Sequence, residues 1–218
     1  MLEVAFRSPP DRPLRFLFLG AHADDIEIGC GGTVLELCER FPAAEFHWVV
    51  LSAEGERRAE AEHAAAAMLG PERTHHVRIA TFDGAYFPAQ WSEIKQFLET
   101  LKPIAPDVVF AHCRDELHQD HRIIGELVWN TFRDHLILEY EIPKYDGGLG
   151  SPSVFMPVRA EMAERKMEVL MESFESQLQR AWFTPSTFQG LMRLRGVECN
   201  APSGYAEAFY ARKVVLGS

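Results

Sequence analysis

Between Gly20 and Glu27 the chain reads Gly-Ala-His-Ala-Asp-Asp-Ile-Glu, which crowds His22, Asp24, Asp25 and Glu27 into a single turn. A second crowd, from His112 to His121, sets His118 and His121 three residues apart with Asp120 between them. Imidazole and carboxylate bind divalent ions, and a catalytic zinc takes three such ligands while keeping its fourth position open to water. His22, Asp25 and His121 supply that set. Asp24 is then free to accept a proton from an attacking water, His118 to stabilise an oxyanion, and Asp120 to orient one of the histidines. Ferrous iron is a second candidate, because a His2Asp set accepts several divalent metals. Taken singly these residues have plainer readings, with Asp24 or Asp25 as a helix cap and a loop histidine as an inert side chain. The conjunction is what points to chemistry.

Both crowds stand where a strand ends and a helix begins. Residues 14–19 (LRFLFL) form a short apolar run stopping at Gly20, the pattern of a buried central strand, and residues 27–40 carry apolar positions suited to a helix packed on a sheet. Residues 46–51 (FHWVVL) give a second strand, the Ala-rich 57–69 a helix that stops at Gly70-Pro71, and residues 74–79 a third strand. A helix over 91–101, a short strand over 107–110 (DVVF), a helix over 120–132 and a fifth strand over 137–142 follow. This alternation predicts an α/β fold, a Rossmann-like three-layer α/β/α sandwich with a mostly parallel sheet. If strands one and four are neighbours, the two crowds meet at the topological switch point. Residues 159–174 and 186–195 read as further helices and 209–215 as a closing strand, giving one domain over 1–218 with a core to about 145 and a C-terminal cap portion.

The 218 residues suffice for one well-buried core, and 47% hydrophobic with 25% charged content is ordinary for a globular chain. A formal net charge of -10 argues against a nucleic-acid partner or an anionic membrane surface and favours a small-molecule ligand. No apolar run approaches the roughly 20 residues of a membrane span. The N-terminal MLEVAFRSPPDRP lacks the features of a secretion signal, so a cytoplasmic location is expected. Cys30, Cys38, Cys113 and Cys199 show no metal or disulfide spacing and read as reduced. Homo-oligomerisation is left open.

At His22-Ala-Asp-Asp-Ile-Glu27 the chain resembles the AHPDD(x)E signature of the PIG-L/LmbE deacetylases, and His118-Gln-Asp-His121 resembles their HxDH signature. The resemblance extends through the GCGGT run at 29–33, the 58–70 helix ending in Leu-Gly, and Tyr205-Ala-Glu-Ala-Phe209. It implies the family's Rossmann-like fold, one zinc per chain, Asp24 as general base and His118 as electrophilic helper. It also implies hydrolysis of an N-acetyl group on an N-acetylglucosamine-type conjugate, members acting on lipid, thiol and antibiotic precursors. Residues 140–143, 176–177 and 195–196 look like the branch that accompanies bacterial sugar and polysaccharide biosynthesis. Ala23 stands where the signature usually has proline, which removes no functional group. Where some relatives carry a tyrosine shortly before the first histidine of HxDH, residues 115–117 here read Asp-Glu-Leu.

Arg57 and Arg58 follow the second strand, and either could hold a substrate hydroxyl or phosphate; the resemblance favours Arg58. Glu207, acidic within an apolar stretch, calls for a basic partner such as an arginine, while His112 is given no role. Gly29, Gly31 and Gly32 lack the spacing of a phosphate loop and fit close helix packing better. Three other functions stay in view: amidase action on a different acyl-amino substrate, a non-catalytic metal-binding subunit, and nucleotide binding by the sheet alone. The second predicts loss of Asp24 or His118, and the third a glycine fingerprint where this chain has His-Ala-Asp-Asp.

Overall fold

The computed structural model describes residues 3–215; residues 1–2 and 216–218 of the expected 1–218 domain lie outside the described residues. Among the described residues seven strands, numbered in chain order, form one sheet in the order β3-β2-β1-β4-β5-β7-β6. The first five, β1 (Arg15–His22), β2 (Glu45–Ser52), β3 (His75–Ile79), β4 (Val108–His112) and β5 (Leu136–Tyr140), run parallel. β7 (Ala206–Ala211) pairs antiparallel with β5, and β6 (Val154–Pro157) antiparallel with β7. The α/β fold is thus a mostly parallel sheet with helices on both faces.

Strand alternation explains the layers. Phe16 and Phe18 of β1 point to one face and meet Phe46, Trp48 and Phe110, with the Phe18 and Phe110 rings stacked at 4.7 Å. Helices α1 (Asp25–Arg40), α2 (Gly55–Leu69), α5 (Ala160–Ser173) and α6 (Pro185–Cys199) bury their apolar sides in that cluster. Leu17 and Leu19 point to the opposite face and join Ile94 and Leu98 of α3 (Trp91–Glu99) and Ile124, Leu127 and Val128 of α4 (Gln119–Thr131). Burial of each such large side chain contributes roughly 1.5–3 kcal/mol, so both faces hold the central strands in place. Among the described residues no helix is long and apolar enough to cross a membrane.

The last third of the chain joins the same sheet through β6 and β7. Residues 154–157 were not expected as a strand, because a four-residue edge run ending at Pro157 carries little periodic signal. The closing strand begins at Ala206 rather than Phe209, since Ala206-Glu207-Ala208 does not read as strand and Glu207 is satisfied only by distant partners. Those partners explain a break in α1. At Cys30 the backbone leaves helical geometry (φ −147°, ψ 21°). On one side of the break the Lys166 ammonium donates to the Ile28 carbonyl at 2.7 Å; on the other, Gly32 and Thr33 donate their N–H groups to Glu207 at 2.8 and 2.6 Å. Lys166 and Glu207 close the arrangement at 2.7 Å, with 1% and 4% of each residue exposed. The expected basic partner is therefore a lysine. Gly29 is required by close approach: a Cβ there would overlap the ring of Tyr140.

Candidate active site

β1 ends at His22 and β4 at His112, and the two strands are parallel neighbours. The 22–25 turn and the 113–121 segment therefore meet at the carboxyl edge of the sheet, although His22 and His121 are 99 residues apart. His22 Nδ1 lies 3.2 Å from His121 Nε2, and Asp25 places Oδ2 at 3.4 Å from the former and Oδ1 at 3.3 Å from the latter. For a tetrahedral ion with ligand bonds of about 2.0–2.1 Å, neighbouring ligand atoms stand about 3.3–3.4 Å apart. The two imidazole nitrogens stand at that spacing, the Asp25 carboxylate turns one oxygen to each, and the donor chemistry suits a zinc-sized ion.

The surroundings orient these donors. Asp120 Oδ2 lies 3.0 Å from His22 Nε2 and accepts the Ala85 N–H at 2.6 Å, while Oδ1 accepts the Phe87 N–H at 3.2 Å. The bond to Asp120 assigns the His22 proton to Nε2 in the neutral ring and turns the Nδ1 lone pair toward His121 and Asp25. Burial lowers the pKa of His22, but hydrogen bonds to Asp120 and Asp25 outweigh it and push it up to about 10 without a metal. Burial alone would raise Asp25; the charge of His121 instead holds it well below its usual range.

His118 is the N-cap of α4, its Nδ1 accepting the Asp120 N–H at 3.3 Å, and its ring centroid stands 4.4 Å from that of His121. Burial, then the neighbouring His121 and His22, lower its pKa, so the ring is neutral at pH 7. With Nδ1 accepting, its proton sits on Nε2 as a free donor. Asp24, 6% exposed, occupies the N-cap position of α1 but makes no side-chain cap bond. It reaches Arg57 instead, with Oδ1 at 3.0 Å from Nη2. Burial raises its pKa, and the Arg57 charge offsets part of that rise.

Of the two arginines, Arg57 enters the site. Arg58, assigned to substrate from the resemblance, is turned along α2 onto Glu62 at 3.0 Å and is 45% exposed. Adjacent helix positions point about 100° apart, so only one of the pair can face the crevice. Arg57 is fixed by Glu60 at 2.8 Å and Ser176 at 3.3 Å and lies over the Phe174 ring.

Three residues in the site went unread in the sequence. His112 is fully buried, accepts the Ala21 N–H on Nε2 at 3.0 Å and lies 3.1 Å from Asp25 Oδ2. Burial, then His121, push it down to about 3, so it stays neutral. Its place at the carboxyl end of a central strand was the available signal. Glu116 meets His121 Nδ1 at 3.4 Å and pairs with Lys144. Although burial opposes ionisation, His121 and Lys144 hold Glu116 down at about 2. No local pattern announces a pairing between residues 116 and 144.

A model of the family described as PIG-L: GlcNAc-PI de-N-acetylase matches residues 17–132. Among solved structures, the N,N'-diacetylchitobiose deacetylase of Pyrococcus horikoshii superposes with TM-score 0.70 at 18% identity, over 91% of this chain and 84% of that one. The 4-carboxy-2-hydroxymuconate hydratase GalB of Pseudomonas putida gives 0.74 at 15% identity, over 94% and 98%. A teicoplanin deacetylase in its zinc-inhibited form gives 0.68 at 15%, over 90% and 97%. Likeness at these identities speaks for the fold alone, and a hydratase shares it with the deacetylases. The family match spans more than half of the chain and takes in His22 through His121, and on that ground the protein belongs to the PIG-L family of deacetylases.

Proposed function

We propose that the protein is a zinc-dependent hydrolase that removes the N-acetyl group from an N-acetylglucosamine-type conjugate in the cytoplasm, releasing acetate and a free amine. The observation that carries this is the spacing of His22 Nδ1, His121 Nε2 and the Asp25 oxygens at 3.2–3.4 Å. Ferrous iron fits the same donors. An ion bound there supplies Lewis acidity, polarising the amide carbonyl and making water a better acid. Asp24, buried and held by Arg57, takes the proton of the attacking water and returns it to the departing nitrogen. The His118 Nε2–H, pinned by the helix-cap bond at Nδ1, donates to the oxygen that gains charge. Asp120 positions His22, and Arg57 is better placed than Arg58 to meet a substrate hydroxyl. The non-catalytic alternative loses ground because the chain keeps both Asp24 and His118.

The test is free-amine and acetate release from a panel of N-acetylglucosamine conjugates by zinc-loaded and chelator-stripped protein. Equal amounts of the two products are expected, with turnover falling at least about a hundredfold on chelation. Equal release by stripped protein would remove the metal from the reading, and silence across the panel would remove the substrate class.

A second measurement needs no substrate. Metal-free His22, with its pKa pushed up to about 10, carries a proton at pH 7 that must leave before Nδ1 can ligate. Zinc added to weakly buffered protein at pH 7 should therefore release at least one proton per chain. Uptake of zinc with no proton release would argue against His22 as a ligand.

A further inference from the structure

We infer that Glu116, itself held by Lys144, is a positioning residue for His121, and that this pair couples the segment following β5 to the affinity of the metal site. The inference rests on the zinc reading given above. Glu116 lies in the loop between β4 and α4, yet only 6% of it is exposed. Its Oε1 accepts the N–H of Leu117 at 2.7 Å and of His118 at 3.4 Å and pairs with Lys144 Nζ, which also donates to the Ile142 carbonyl at 3.1 Å. Oε2 is left to face His121 Nδ1 at 3.4 Å.

An imidazole has two nitrogens, and the partner of one decides the use of the other. With Nδ1–H donating to Glu116, His121 keeps its lone pair on Nε2, the atom 3.2 Å from His22 Nδ1. The arrangement at His22 is the mirror case: Nε2 is taken by Asp120 and Nδ1 faces the metal position. Each metal histidine is thus backed by its own carboxylate. Asp120 is locked by the backbone N–H groups of Ala85 and Phe87, whereas Glu116 depends on Lys144 from a different segment, with 7% of the lysine side chain exposed. Lys144 also adds a positive charge to a site crowded with Asp24, Asp25, Glu27 and Asp120. Removing it leaves Glu116 buried without its cation and free to turn away from His121.

Zinc affinity measured by chelator competition on full-length protein tests the inference, beside the visible spectrum of the cobalt-substituted form. Glu116→Gln keeps the shape and one acceptor but loses the charge, and its zinc Kd should rise about tenfold; Glu116→Ala should lose about a hundredfold. Lys144→Met should weaken zinc in the same direction as Glu116→Gln. The cobalt bands should change in both Glu116 variants, a response that loss of loop packing alone would not give. Zinc affinity within twofold of the parent and unchanged cobalt bands in Glu116→Gln would overturn the inference, even if Glu116→Ala failed to fold. A parent protein that binds zinc and releases amine while Glu116→Gln binds zinc equally well would overturn this inference alone. A parent that binds no divalent ion would overturn both readings.

Discussion

Asp24→Asn is expected to lower kcat for N-acetyl hydrolysis by about 10²–10⁴ while leaving zinc affinity within a few-fold of the parent, because the change removes a proton acceptor and no ligand. Asparagine preserves the shape of the side chain and can still accept a hydrogen bond from Arg57, which stands 3.0 Å from Asp24. The substitution thus isolates proton transfer from local packing. Burial raises the Asp24 pKa and Arg57 restrains that rise, so the acid limb of kcat should lie above the position an exposed aspartate would set. Below that pH the acceptor is already protonated and turnover falls; above it the carboxylate is competent. A variant that retained more than a tenth of parental kcat would assign the proton acceptor elsewhere. One that lost zinc as well would place Asp24 among the ligands.

The parts of this site that could be read from the sequence share one property: they lie within a few residues of a strand's carboxyl end. His22 ends β1 with Asp24 and Asp25 just after it, and His118, Asp120 and His121 follow β4. Their apolar runs mark those strands as buried, and the sheet order, with β1 beside β4, brings the two loops together. What stayed hidden depends on pairings that no local pattern encodes. His112 stands just past the expected 107–110 strand, a place that gave a signal but no partner, and only the packing of Ala21, Asp25 and Tyr140 around it shows its use. Arg57 and Arg58 are chemically the same in the sequence, and the helix phase of α2 alone separates them. Glu116 needed Lys144, and Glu207 needed Lys166. The same limit applies to the fold, where β6 and the true start of β7 went unseen because a short edge strand and a strand opening on Ala-Glu-Ala lean on distant partners. The glycines of α1 show the reverse case: close packing was legible in their spacing, while the break at Cys30 that they flank was not.

That break is where the second large effect is expected. Glu207→Gln should destabilise the protein by about 3–5 kcal/mol, because it leaves the Lys166 ammonium buried with the Ile28 carbonyl and no charge partner. Lys166→Met should cost less, about 2–3 kcal/mol. The orphaned Glu207 carboxylate still accepts the Gly32 and Thr33 N–H groups at the start of a helical segment, where negative charge is favoured. The double variant should fall short of the sum by about 0.5–3 kcal/mol, the coupling of two groups in contact, as measured by urea unfolding. Single costs below about 1 kcal/mol, or strict additivity, would mean the pair does not hold the break in α1. The consequence for function follows from connectivity. Asp24 and Asp25 sit at the start of α1, ahead of the break, and the turn that carries them is fixed at its far end by the Lys166 bond to Ile28. Glu207→Gln should therefore also weaken zinc binding, although residue 207 touches no ligand. A folded variant that shows the expected loss of stability with unchanged zinc affinity would mean that the first turn of α1 is held by the sheet edge alone.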